Sequence, residues 1–241
     1  EHEEILDLLI EQLTEIDFLK EAFPEIEKLR KKLIELDNKG EQAKEINSKI
    51  SKLKLANKHY LVITVEHVLK IAKEQNWGLC KKHDFIYLFN GEYWANIEKD
   101  SFQKFLGEAA EKIGIEKISA RYHIFREQLF KQFLSTAYLP TPKANDKKVL
   151  INLQNGTYTI SAKRGELRRF NRNDFITYQL PFDFDKSAKA PIFQAYLDKV
   201  LPEKEKQKVL AEYIGFLFIK HGNKALKEEK ALILYGTGAN G

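Results

Sequence analysis

Methionine is absent from all 241 residues, and cysteine occurs once, at Cys80. A lone cysteine excludes an internal disulfide framework and any zinc site built on several thiolates, and a reducing cytoplasm is the expected location. The chain begins at Glu1. Without methionine, it reads either as an internal segment of a longer protein or as a chain whose modified methionines are left out of the sequence. No apolar run approaches the ~18 to 20 residues that span a bilayer, and the opening EHEEILDLLIEQ has no basic flank before an apolar stretch. Neither a membrane partner nor a secretion signal is therefore expected. What is present is a globular composition, 43% hydrophobic and 12% aromatic, with enough chain to bury a core. Residues 1 to 57 hold 14 acidic and 10 basic side chains, net −4 against a total of +5, so residues 58 to 241 carry +9. That imbalance suits an anionic partner, nucleic acid first, although scattered lysines are more often a solvated surface.

Apolar residues from Ile5 to Leu36 recur three or four apart, which predicts an amphipathic helical stretch kinked at Pro24. Asp37 to Gly40 stops it, and the pattern resumes through Ala43, Ile46, Ile50 and Leu53. A helical hairpin or short coiled coil over residues 1 to 57 is expected, serving oligomerisation or packing on its own domain. Residues 58 to 229 read as a second, α+β domain. It opens with a helix over 59 to 76 and a hairpin, Phe85–Phe89 and Tyr93–Ile97, joined at Asn90-Gly91-Glu92. Tyr87, Phe89, Tyr93 and Trp94 could stack on bases, but packing a small sheet is the stronger reading. Helices follow from Ser101, as N-cap, to Ile113 and from about Ala120 to Phe133. Past a Pro-rich linker over 140 to 146, short runs at 149–152, 157–160, 166–170 and 175–178 predict an antiparallel meander. Helices over 192–200 and 203–218 complete the domain.

Lys163, Arg164, Arg168, Arg169 and Arg172 form the densest basic cluster, five cations within ten residues opposed by the single acidic Glu166. On short strands and turns such side chains can present guanidinium forks to DNA phosphates, positioning the duplex or strand without reading its sequence; the competing reading is a solvated face. Asp183 and Asp185 have the spacing of a metal-binding carboxylate pair. Their loop setting and the lack of a nearby partner carboxylate favour a turn or capping role instead. No Ser/His/Asp or Cys/His constellation stands out, so no catalytic and no metal-ligating residue is assigned.

From residue 230 a third segment opens. Ala231–Tyr235 reads as an apolar strand, and Gly236, Thr237, Gly238, Ala239, Asn240 and Gly241 supply the first six positions of GxxxxGK[ST]. In a complete loop the backbone N–H groups curl around the phosphates, the Lys reaches the terminal phosphates and the hydroxyl holds Mg²⁺.

Several stretches together resemble a known family. INLQNGTYTI at 151–160, ITYQLPFDFD through Asp185 with Pro191 beyond, EYIGFLF at 212–218, ALILYGTGANG, and FNGEYWANI at 89–97 are similar to the domain that precedes the motor in phage and plasmid primase-helicases and poxvirus-type helicase-primases. The resemblance spans roughly residues 80 to 241. It implies a superfamily 3 helicase of a phage, plasmid or integrated element: a ring-forming AAA+ homo-oligomer in a bacterial host cytoplasm that acts on single-stranded or forked DNA. ATP and Mg²⁺ would be cofactors of the full-length protein. They are not expected to bind tightly here, where the Lys and hydroxyl are absent, and hydrolysis by these residues alone is not expected. Two rivals stay open: a non-enzymatic nucleic-acid-binding or oligomerisation module, and a different P-loop NTPase.

Overall fold

Helices alternate with two small antiparallel sheets, an α+β architecture. The computed structural model describes residues 2–36, 40–138, 148–161, 164–218 and 231–233. The chain divides into two compact units, one of Glu1–Pro142 with Asn171–Tyr178, the other of Lys143–Phe170 with Gln179–Gly241.

The first unit opens with α1 (His2–Gln12), α2 (Phe18–Ala22), α3 (Ile26–Glu35) and α4 (Gly40–Lys52). The sequence pattern predicts one break, near Pro24; the structure has it and adds another over residues 13–17. The second arises because the Asp17 carboxylate accepts the N–H groups of Leu19 and Lys20, each at 3.0 Å, and so starts a new helix. Leu6, Leu9, Leu13 and Phe18 enter the core of this unit, so the opening helices pack on it.

Next come α5 (Asn57–Glu74), β1 (Gly78–Lys82), β2 (Phe85–Phe89) and β3 (Trp94–Ile97), with sheet order β1-β2-β3. Asn90 closes the β2–β3 turn by accepting the N–H groups of Glu92 and Tyr93. Phe89 and Trp94 are buried, which makes them core rather than base-stacking residues. Strand β1 is invisible to the periodicity: two of its residues are lysines and it follows the helix directly.

Helices α6 (Lys99–Lys112), α7 (Lys117–Arg121) and α8 (His123–Thr136) follow, packing on one another and, through α6 and α8, on α5. Ser101 lies inside α6 rather than capping it; Glu98 is the extended residue before the first turn. The helix predicted from Ala120 is two helices, parted at Tyr122 by an extended backbone with ψ of 127°. Phe102 sits at the centre, fully buried, its ring 4.5 Å from that of Phe133 and 5.4 Å from that of Phe105.

Residues 171–178 belong to this unit too, and the strand predicted over 175–178 does not form. A 3-10 turn, Arg172–Asp174, ends with Phe175 in the left-handed region at φ +48°. Its ring packs 5.0 Å from Tyr87 and 5.3 Å from Trp94. Trp94 clamps the segment by donating Nε1–H to the Arg172 carbonyl and its backbone N–H to Ile176, both at 2.8 Å.

The second unit contains β4 (Lys148–Leu153), β5 (Gly156–Ser161) and β6 (Gly165–Arg168) in the order β4-β5-β6, then α9 (Pro191–Val200) and α10 (Lys204–Phe216). Three of the four predicted meander strands are therefore present. Leu180 bridges to Leu153 and donates its N–H to Asn152, tying the loop before α9 to the sheet. Neither α9 nor α10 buries a residue. They are joined by a polar corner in which Asp198 accepts hydrogen bonds from Gln194, Lys204 and Gln207.

Candidate nucleic-acid interface

Strand β6 is an edge of the second sheet, with one face of its main chain open to solvent. The register sets Thr159 opposite Glu166 and Thr157 opposite Arg168. Successive side chains alternate between faces, so Arg164, Glu166 and Arg168 share one face and Leu167 and Arg169 the other. Gly156 is what lets β5 and β6 approach this closely. It sits at φ +148°, and a Cβ there would lie 2.5 Å from the Arg168 carbonyl oxygen.

The five predicted basic residues do not behave as one cluster. Arg164 is paired through Nη2 to Glu166 Oε2 at 3.0 Å. Arg168 is half-buried and spends two donors internally, Nε on Thr159 Oγ1 at 3.0 Å and Nη1 on the Arg169 carbonyl at 3.2 Å. Arg169 is exposed, and no described residue pairs with its guanidinium. Arg172 lies in the first unit, where its carbonyl accepts from Trp94. Lys163 lies outside the described residues. The arrangement offers one free guanidinium at Arg169 and a second at Arg164 that an anion could draw from an exposed ion pair, while Arg168 is held by its own internal partners.

Thr159 and Glu166 are the residues that pattern reading misses here. Each modulates an arginine, and the signal for Thr159 would have been the cross-strand register that Gly156 and the short β4–β5 turn impose.

Asp183 and Asp185 have no partner group: among the described residues no cluster of His, Cys, Asp or Glu could hold a metal. Asp185 makes a turn, its carboxylate accepting from the N–H and the hydroxyl of Ser187, both at 2.7 Å. Those hydrogen bonds hold it below the usual carboxylate range. Phe184 is bracketed by Asn155, which donates to its carbonyl at 3.0 Å and accepts from its N–H at 2.9 Å. Residues 234 to 241, and with them Gly236, Thr237, Gly238, Ala239, Asn240 and Gly241, lie outside the described residues. No described helix is long and apolar enough to cross a membrane.

The described part is thus an α+β chain with a small edge strand flanked by arginines and a turn-bound carboxylate. The sequence model of a family described as D5 N terminal like matches residues 67–202, more than half the chain. The chain belongs to that family, the N-terminal domain of phage and viral primase-helicase proteins. No curated protein matches it. The matched span runs from within α5 to just past α9 and so takes in both sheets.

Proposed function

We propose that this chain serves a replicative primase-helicase of a phage, plasmid or integrated element, as the domain that brings DNA, single-stranded or forked, to a superfamily 3 motor. The observation that carries this is the family match across both sheets, joined to an edge strand flanked by the exposed Arg164 and Arg169. Guanidinium groups at the two ends of a rigid strand grip phosphates in a fixed register without reading bases, which is what a strand-delivery surface requires. ATP and Mg²⁺ then act in the motor, whose phosphate loop Gly236–Gly241 would open, and a homo-oligomeric ring is the assembly this reading implies. Helix α9 leaves Ile192 and Phe193 exposed at 87% and 54%, which supports a share in ring assembly as the second reading.

The test reverses charge at Arg164 and Arg169 and follows single-strand affinity against salt. Each phosphate contact removed lowers the slope of log affinity against log salt by about 0.7 for a single strand. Arg168→Glu would lose the Thr159 bond as well, so it serves as a control for sheet integrity. An unchanged affinity and an unchanged slope in the Arg164/Arg169 double variant would sink the assignment.

A further inference from the structure

A cleft of about 860 Å³ opens in the first unit, a size within the ~300–1,000 Å³ common for small-molecule sites. It lies between the end of α5, the start of β1, the residues leaving α8 and the 3-10 turn Arg172–Asp174. Two cations reach it, Lys73 from the last turn of α5 and Arg172 from the turn. Neither side chain is engaged in an ion pair among the described residues, and none of the described residues lining the cleft is acidic. A third cation, Lys82, lies 4.0 Å over the Phe175 ring at the same turn.

The walls carry aromatic rings of a particular kind. Tyr138 is 64% exposed at the rim, and Trp77 is half-buried beside it. The floor is the outer edge of β1, opposite β2, which the chain leaving α8 bridges only at Lys81 among the described residues. Lys81 donates its N–H outward to the Ala137 carbonyl at 2.6 Å, and strand alternation turns the Leu79 N–H and C=O toward that same edge. No described backbone group takes them up. Beneath, Trp94 is packed so tightly that a Cβ on Gly78 would meet its ring at 2.4 Å. Because Trp94 also clamps the backbone of the 3-10 turn, Arg172 is held at the mouth before any ligand arrives.

We propose that this cleft binds a nucleotide. The base lies against Tyr138 and Trp77 with its polar edge toward the Leu79 peptide, and the phosphate is taken by Lys73 and Arg172. The shared chemistry is a flat heteroaromatic ring plus a phosphate, supplied by a free nucleotide or by the terminal nucleotide of a single strand. The charge excludes a cationic ligand. An uncharged apolar ligand would leave both cations and the free peptide groups without a partner. The site goes beyond the β6 reading and does not depend on it, since it uses no residue of the second unit.

The chain has two tryptophans, and both line this cleft, so intrinsic fluorescence reports on it directly. The full chain is titrated with dAMP, with a 5′-phosphorylated oligo(dT), and with inorganic phosphate. Saturable quenching by dAMP is expected, weakened at least about tenfold in Lys73→Glu and in Arg172→Glu, and unchanged in Arg169→Glu. Tyr138→Ala, which removes an exposed ring and leaves the core intact, should weaken binding as well and guards against a variant that merely misfolds. Quenching by dAMP alone identifies a free-nucleotide site, whereas quenching by both ligands identifies a strand end. The proposal is overturned if neither ligand quenches saturably, if the Lys73 and Arg172 variants bind as the parent does, or if phosphate alone competes as well as dAMP. An Arg169→Glu chain that loses DNA affinity but keeps dAMP quenching would separate the two surfaces.

Discussion

The first unit gathers Leu9, Val65, Leu88, Phe102, Leu106 and Phe133 into one cluster of fully buried side chains, whereas α9 and α10 of the second bury none. The second unit is held together by ladder pairing and short polar clasps: Asn155 on Phe184, Asp198 at the α9–α10 corner, and Leu180 on Asn152. Apolar burial is non-directional and adds with area, while polar clasps fix geometry and contribute little net stability where water competes for them. A framework of the first kind suits a preformed cleft. The second kind suits a surface that presents arginines to a partner.

One substitution placed twice gives the widest contrast. Phe102→Ala removes a ring enclosed by Phe105, Phe130 and Phe133 and should cost about 3–5 kcal/mol of stability by denaturant titration. Phe193→Ala removes the same group from an exposed face of α9 and should stay within about 0.5 kcal/mol. Comparable losses at the two positions would mean that the second unit has a core of its own, and the contrast would fail.

Asn155→Ala sharpens the comparison at a smaller scale. Its side chain makes two hydrogen bonds to Phe184, whose ring stacks on Tyr158 at 4.4 Å. Losing both bonds at an exposed site should cost about 1 kcal/mol. The readable consequence is local: faster amide exchange at Phe184, with no change in the first unit. Exchange that stays slow at Phe184 would show that the stack alone suffices.

Long periodic helices and turn chemistry were legible in the sequence; features set by a single side chain or by distant packing were not. The β2–β3 turn at Asn90-Gly91 and the helices α5, α6, α9 and α10 follow from local pattern, and the family could be read from the segments around both sheets. The break at Asp17 escaped because apolar spacing continues through it while one carboxylate starts a new helix. Phe175–Tyr178 has the composition of a strand, yet Trp94, far away in sequence, claims Ile176 and Arg172 instead. The basic cluster was legible as composition only. Which arginine is free depends on Thr159 and Glu166 across or along the strands, and Arg172 is drawn to the other unit by the same tryptophan. The cleft was hidden because its parts come from four separated segments.

The smallest expected effect concerns Asp198, where the polar construction of the second unit can be read by pH. Lys204 foremost, then Gln207 and Gln194, donate to its carboxylate and hold it at about 2, below its ordinary 3.8. The carboxyl is fully exposed, so solvent and salt screen the interaction and its share of stability is small. The sign is nevertheless fixed. A depressed carboxyl stabilises the folded corner above the unfolded value of 3.8, and that contribution disappears as the pH falls through about 2. An NMR titration should therefore find Asp198 well below the ordinary aspartate value of 3.8, rising toward it in high salt. Lys204→Ala should raise it more than Gln194→Ala does. An Asp198 that titrates at the ordinary aspartate value, unmoved by either substitution, would show that α9 and α10 meet without this corner, leaving their angle to the apolar residues they expose.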